Sequence, residues 1–456
     1  MEDKRENPTA NEPVMSRREF LRTMVLGGAG LLLGKRFGWA APAAAPTAAG
    51  SQSGSAKSVI QIWMWGGPSQ LDTFDPKPNS GYDYTGPLDK VIDTNVPGIQ
   101  VGELLPLLGR QADKYSIIRT VTHGVNSHET AAYMVQTGRR AGGSLVFPSV
   151  GAVVSLFKGY DHGYDSLIPP YIVLTRSQGR FSEAGFLGPR YKPFCTGGDP
   201  NASRFEVEGI IAPGISDERQ HSRRSLLHAL DTLGNAVPDE TAFAQLDTTE
   251  KNAYDLILGE SSKLFDLSQE SAELRDRYGR STFGQSCLMA RRLVEAGVPY
   301  ITINYGGWDT HKQHFQIMRR KLPEMDKGMA TLLEDLADRG LLDTTIVWWG
   351  GEFGRTPRVA WEPPWNGGRH HYGQCFTHVV AGGGFQGGKV VGASNETGEK
   401  VAERPVSVQD LIGSIYELMG IDPDAPLANP RGQDIKVLPS SEEMGIQTKG
   451  RLHEIM

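Results

Sequence analysis

A chain of 456 residues with 39% hydrophobic and 22% charged residues has the make-up of an ordinary globular protein with a large core, which excludes a disordered or low-complexity chain. The net charge of −6 argues against a nucleic-acid partner, which needs a basic surface. Three cysteines (Cys195, Cys287, Cys375), none in a CxxC pair, exclude a disulfide framework.

In chain order, the first feature is Ser16-Arg17-Arg18-Glu19-Phe20-Leu21-Arg22, followed by the apolar run Met24 to Leu33 and the small-residue stretch Gly38-Trp39-Ala40. A basic patch, a short apolar core and a small-residue exit predict an export signal, and the paired arginines predict the twin-arginine variety. The apolar run, broken by Gly27, Gly28 and Gly30, is far short of the ~20 residues of a membrane span. Residues 1–50 are therefore assigned to a leader and linker, with the twin-arginine translocase as a partner and the periplasm or extracellular space as the destination. No later stretch is long and apolar enough to span a bilayer.

The remainder, 51–456, reads as one α/β domain. Val59 to Trp65, Ser116 to Val121 and Tyr171 to Thr175 are β-rich apolar runs. A turn-rich region of weak periodicity, about 176–240, reads as an insertion, and from about 249 to 297 the pattern is helical. Tyr300 to Tyr305 is the next strand. Leu322, Met325, Met329, Leu332, Leu333 and Leu336 then recur at helical spacing. Thr345 to Trp349 and Phe376 to Ala381 are further strands, and Ser407 with Asp410 predicts a capped helix carrying Leu411, Ile415 and Leu418. Continuous apolar strands alternating with helices predict a mostly parallel central sheet with helices on both faces.

Polar clusters follow the strand ends, where open α/β sheets bind ligands. They are Gly66 to Asp75, Gly307-Trp308-Asp309-Thr310-His311, Gly351-Glu352-Phe353-Gly354-Arg355-Thr356 and Gly368-Arg369-His370-His371. Asp, Glu and His are ligands for zinc or manganese. Asp309 and His311, two apart, point the same way on an extended segment and can chelate; the alternative is that Asp309 caps the following helix. Of His370 and His371, adjacent and facing apart, one is a candidate. His162, His221, His228 and His453 sit in polar contexts and read as surface residues. Ser127 stands where a helix running to Gly138 should start, so it either caps that helix or, beside a base or metal, acts as a nucleophile. A helix N-terminus also attracts anionic groups.

Together Trp65 to Asp72, Gly307 to His311, Gly351 to Pro357 and Gly368 to His371 look like the secreted family called domain of unknown function 1501, which is similar in fold to alkaline phosphatases and sulfatases. The resemblance runs from residue 58 to about 440. It implies an alkaline-phosphatase-like α/β sandwich with one or two divalent metals, zinc or manganese before calcium or magnesium, above a parallel sheet. It implies a nucleophile at the start of a helix ending in Thr-Gly-Arg. Counting back from Thr137-Gly138-Arg139 lands on His128, with Ser127 one before, so the register departs from the superfamily. The metal aspartate expected at the first strand end is replaced by Trp65 and Gly66, with Ser69 or Asp72 as substitutes. Glu352-Phe353 stands where alkaline phosphatases carry Asp-His. No cysteine stands at the helix start, so a formylglycine is not expected.

The expectation is an exported metal-dependent hydrolase of phosphate or sulfate esters acting on an anionic small molecule or a sulfated or phosphorylated glycan. Asp72, Asp309, His311, Glu352 and His371 would hold metal, Ser127 or His128 would act in catalysis, and Arg355 or Arg139 would grip the anion with a planar fork. The alternative is a non-catalytic metal- or anion-binding module that recognises a surface glycan or a partner protein.

Overall fold

The computed structural model describes residues 54–176, 183–203 and 263–456, with Phe205, Val207, Arg219 and Ser222 singly. The stretch read as a leader, His221, His228 and most of the turn-rich region lie outside the described residues. Ten strands matter to the site: β1 (Ser58–Trp63), β2 (Tyr115–Val121), β3 (Tyr171–Leu174), β4 (Phe194–Cys195), β5 (Tyr300–Asn304), β6 (Thr345–Gly350), β7 (Gly354–Arg355), β8 (His371–Tyr372), β9 (Phe376–Ala381) and β10 (Lys389–Val391). Eight of them form one sheet in the order β10-β2-β9-β6-β1-β5-β3-β4. Only β9 runs against its neighbours; every other pairing in that sheet is parallel. β4 lies inside the turn-rich region and is two residues long, too short to leave a periodic pattern.

Among the described residues, the helices of seven residues or more are α1 (His128–Thr137), α2 (Val150–Lys158), α3 (Ala272–Tyr278), α4 (Thr282–Glu295), α5 (His314–Asp338) and α6 (Val408–Leu418). Alternation along β1 explains why both faces need cover. Ile60 and Ile62 join a core with Leu288 of α4 and Met325 and Leu333 of α5. Val59 and Trp63 join a second core with Val135 of α1, Val153 of α2 and Leu411 and Ile415 of α6. Burying each such side chain contributes roughly 1.5–3 kcal/mol, so a strand apolar on both faces is stable only between two helical layers. The α/β fold with a mostly parallel sheet is therefore what the chain adopts.

Local signals set the helix ends. Ser407 and Asp410 form the reciprocal capping box of α6. α5 starts at His314, a full two turns before the first leucine of its apolar face, and Gly340 follows it with φ +66°. Ser127 occupies the N-cap position of α1, but its side chain makes no capping hydrogen bond. Its exposed hydroxyl therefore stays out of the capping role. Among the described residues no helix is long and apolar enough to cross a membrane.

Candidate metal centre

Four loops meet beyond the ends of β1, β5 and β6, and glycines let them pass. Gly66, at φ +108°, lies against the loop after β5; a Cβ there would stand 2.3 Å from the Asp309 backbone nitrogen. A Cβ on Gly368 would stand 1.8 Å from the His311 carbonyl oxygen. These two contacts fix Asp309 and His311 to the neighbouring loops. β7 and β8 pair antiparallel, with His371 opposite Arg355. The loop before α1 is tied in as well: Gly373 N–H donates to Asn126 Oδ1 at 2.7 Å, and His123 and Gly124 donate to the Gly373 carbonyl.

Asp309 is the hub of the result. Its Oδ1 lies 3.0 Å from His311 Nε2 and 3.1 Å from His371 Nε2, and its Oδ2 lies 3.3 Å from His128 Nε2. His311 and His371 bring their Nε2 atoms to 2.9 Å of each other. On each ring the other nitrogen is occupied elsewhere. His371 Nδ1–H donates to the Asn126 carbonyl at 2.8 Å. His128 Nδ1 meets Glu352 Oε1 at 2.6 Å, and His311 Nδ1 meets His370 Nδ1 at 2.7 Å. A neutral ring that donates through Nδ1 carries its lone pair on Nε2, so at His371 a cation could take the place of the Nε2–H that otherwise bonds Asp309. A shared cation satisfies that arrangement. Donors held ~2.0–2.2 Å from one tetrahedral ion lie about 3.3–3.6 Å apart, slightly wider than the 2.9–3.3 Å contacts here. His128, Asp309 and His371 could hold a metal ion, with His311 contacting two of them. Asp309 is 41% exposed, so the centre opens to solvent on one side.

The surroundings orient these ligands. Trp65 stacks on His128, with ring centroids 5.6 Å apart, and Phe353 stacks on His371 at 4.6 Å. Glu352 is fully buried and also accepts from the Gly66 N–H at 2.9 Å, which locks it behind His128; its Oε2 has no partner among the described residues. Burial raises the Asp309 carboxyl, but hydrogen bonds from His128 and His371 and the charge of Arg355 hold it far below the usual carboxylate range. Burial also opposes charge on His128, yet bonds to Asp309 and Glu352 lift it to about 9. His311 is pushed down to about 4, first by burial and then by Arg355 and His371, against the pull of Asp309.

Three residues read from the sequence, Asp72, Arg355 and Arg139, make other contacts. Asp72 sits in a buried network, its Oδ2 2.9 Å from His314 Nε2 and 3.1 Å from Arg369 Nε. Burial raises its carboxyl, but Arg369 and His314 hold it at about 2. The reason is packing: the turn after β1 folds inward and delivers Asp72 to the core rather than to the open centre. Arg355 is also fully buried. Its Nη2 meets Asp309 Oδ1 at 2.7 Å and the Gly66 carbonyl, and its Nε donates to the Gly67 carbonyl at 3.0 Å. Its fork positions Asp309 and is closed to a substrate. Arg139 donates to the Lys436 carbonyl and lies over the Phe147 ring. His162 and His453 are exposed, as their contexts indicated.

The structure thus brings Asp309, His311, His371 and His128 together, with Glu352 and Arg355 behind them and Ser127 next in the chain to two of the contacting residues. The sequence reading gave His128 a catalytic role; its Nε2 lies with the atoms that could hold a metal ion. It gave Asn126 no role and kept His370 only as the alternative to His371; Asn126 contacts the His371 ring and His370 the His311 ring. The signal for His370 lay in the His-His pair: facing apart, one ring enters the centre and the other backs His311.

A search of curated proteins finds no match. Solved structures similar to the chain include a protein in the alkaline phosphatase superfamily from Vibrio parahaemolyticus, 12% identical, TM-score 0.39, covering 83% of this chain and 72% of that one. Another is the alkaline phosphatase from the Antarctic bacterium TAB5, 10% identical, TM-score 0.36, covering 80% and 98%. A third is the lipoteichoic acid synthase LtaP from Listeria monocytogenes, 10% identical, TM-score 0.38, covering 84% and 75%. Residues 56–444 match the family described as "Protein of unknown function (DUF1501)", and the chain belongs to that family.

Proposed function

We propose that this chain is an exported, metal-dependent hydrolase of phosphate or sulfate monoesters. The observation that carries the reading is the convergence of three imidazole Nε2 atoms on the Asp309 carboxylate, each ring anchored through its other nitrogen. Imidazole and carboxylate together suit zinc or manganese. A bound ion supplies Lewis-acid neutralisation of the ester's negative charge. Asp309, His311, His371 and His128 hold it, Glu352 fixes the His128 ring, and Arg355 holds Asp309 in place.

Ser127 is the candidate nucleophile. Its exposed hydroxyl does not cap α1, and it stands between Asn126 and His128, both of which touch the centre. The first N–H groups of that ten-residue helix favour an anion at this point. The Ser127 oxygen attacks phosphorus or sulfur, the ester oxygen leaves and takes up the hydroxyl proton as the free alcohol, and water then cleaves the seryl ester. The leader Ser16 to Arg22 supports delivery through the twin-arginine translocase to the periplasm or beyond.

The test is elemental analysis with assays on p-nitrophenyl phosphate and sulfate, comparing wild type, Asp309→Asn and Ser127→Ala. Expected are bound divalent metal and turnover in wild type, and loss of both in Asp309→Asn. Ser127→Ala should keep its metal and lose activity by at least about a thousandfold. Full activity in Ser127→Ala would remove the serine from the mechanism, and bound metal without turnover of either ester would favour the binding module.

A further inference from the structure

Asp309 and His311 face the open centre, and in an extended segment the residue between them faces the other way. Thr310 is accordingly buried, only 1% exposed. On the second ligand-bearing loop His371 reaches the centre, while Arg369, two residues before it, is fully buried. Each loop therefore sends one polar side chain inward, and both lead to the same carboxylate. Thr310 Oγ1 lies 2.7 Å from His314 Nδ1, and His314 Nε2 lies 2.9 Å from Asp72 Oδ2. Arg369 Nε lies 3.1 Å from that same oxygen. A carboxylate only accepts, so the Nε2–H of a neutral His314 donates to it, and Nδ1 accepts from the Thr310 hydroxyl.

We propose that Asp72 is a positioning residue: its Oδ2 ties the loop of Asp309 and His311 to the loop of His371 and so sets the span of the candidate metal centre. The assignment rests on the metal reading given above. Hydroxyl, imidazole and carboxylate stand here in the order of a hydrolase triad, but Thr310, His314 and Asp72 are at most 4% exposed, so the hydroxyl is closed to a substrate.

The two loops also meet through a backbone bond, the Arg369 N–H donating to the Thr310 carbonyl at 3.1 Å. A single hydrogen bond is a pivot. The side-chain path through His314 and Asp72 returns between the same two residues and closes a ring, so Thr310 and Arg369 are held at two points. Both arms are anchored in turn. His314 opens α5, and its backbone N–H donates to the Gly367 carbonyl at 3.2 Å. Arg369 Nη1 donates to the Thr356 carbonyl at 3.0 Å and Nη2 to the Tyr84 carbonyl at 2.5 Å. The buried Asp72 and Arg369 hold each other, because either one left alone would be an uncompensated charge.

The experiment titrates the full chain, freed of metal, with Co(II), reading affinity by competition and coordination geometry from the visible spectrum. Thr310→Val breaks the histidine arm with little change of shape, and Thr310→Ser keeps the hydroxyl. Asp72→Asn removes the charge that both arms share. Tyr278→Phe removes a buried hydrogen bond to Asp335, about 30 Å along α5 from His314, and serves as the control for a merely structural loss. Denaturant unfolding accompanies each variant.

Expected is a loss of Co(II) affinity of about 10- to 100-fold, with an altered spectrum, in Thr310→Val and Asp72→Asn. Thr310→Ser and Tyr278→Phe should keep the wild-type affinity and spectrum. Wild-type behaviour in Thr310→Val, or a loss in Thr310→Ser or Tyr278→Phe equal to that in Thr310→Val, overturns the bridge. Should Asp72→Asn fail to fold, the two threonine variants decide. If the wild type takes up no Co(II), the metal reading fails by itself, and crystal structures of wild type and Thr310→Val decide the bridge. The 2.9 Å between the Nε2 atoms of His311 and His371 should then widen by about 1 Å in the variant, and an unchanged distance overturns the proposal.

Discussion

Asp309 and Glu352 are both carboxylates near His128, but their environments give them different tasks. Asp309 faces solvent and three Nε2 atoms, whereas Glu352 is buried and meets only the Nδ1 side of His128 and the Gly66 N–H. Glu352→Gln keeps the shape and removes the charge that raises the basicity of His128. Metal affinity should fall about 10- to 100-fold, read by competition with a chromogenic chelator. The pH dependence follows from the same ring. In the metal-free chain His128 is lifted to about 9, so at pH 7 it holds a proton that metal binding must expel. Between pH 9 and 7 the affinity should therefore fall about tenfold per unit, with proton release seen by calorimetry in buffers of different ionisation heat. Stability of the metal-free chain runs the other way. A raised folded-state value means the His128 contribution is present below its unfolded value of about 6.5 and is lost as pH rises through about 9. A metal-free melting temperature that stays flat across that window, or falls equally in His128→Gln, would remove this ring as the cause.

At the scale of elements, the strands were legible because each central strand is a continuous apolar run, and that alone argued for a sheet covered on both faces. The capping box of α6 was legible because it is local, Ser407 and Asp410 being three residues apart. The centre was legible only in part. The acids and histidines at strand ends pointed to the right loops, yet Asp72 and Arg355 are as polar as Asp309 and are buried. What separates them is how the loops cross, a non-local fact carried by glycines rather than by the polar residues themselves. Gly66 is the clearest case: a side chain there meets the Asp309 backbone while the residue sits at φ +108°. Gly66→Ala should cost about 3 kcal/mol through overpacking and backbone strain, and should shift Asp309 off its histidines. Denaturant unfolding and metal content together check it. A variant that loses stability but binds metal normally would mean that the loop crossing does not set the Asp309 position.

At the scale of the whole molecule, the candidate centre draws its side chains from segments far apart in sequence, His128, Asp309 and His371 with His311 beside them, so only the folded chain can assemble it. Metal binding is then linked to folding. At a free metal concentration of 100 times Kd the native state gains about 2.7 kcal/mol. For a domain of this size that raises the melting temperature by about 3 °C. If residues 1–50 act as the twin-arginine leader proposed above, this linkage has a cellular consequence. A twin-arginine route carries folded cargo, so the metal is expected to be in place before export. Arg17→Lys with Arg18→Lys should hold the precursor in the cytoplasm, and that precursor, purified without chelator, should already contain divalent metal at the level of the exported form. A metal-free, protease-sensitive precursor would place metal loading after translocation. Export undiminished by the double substitution would instead send the chain through a route that does not require prior folding.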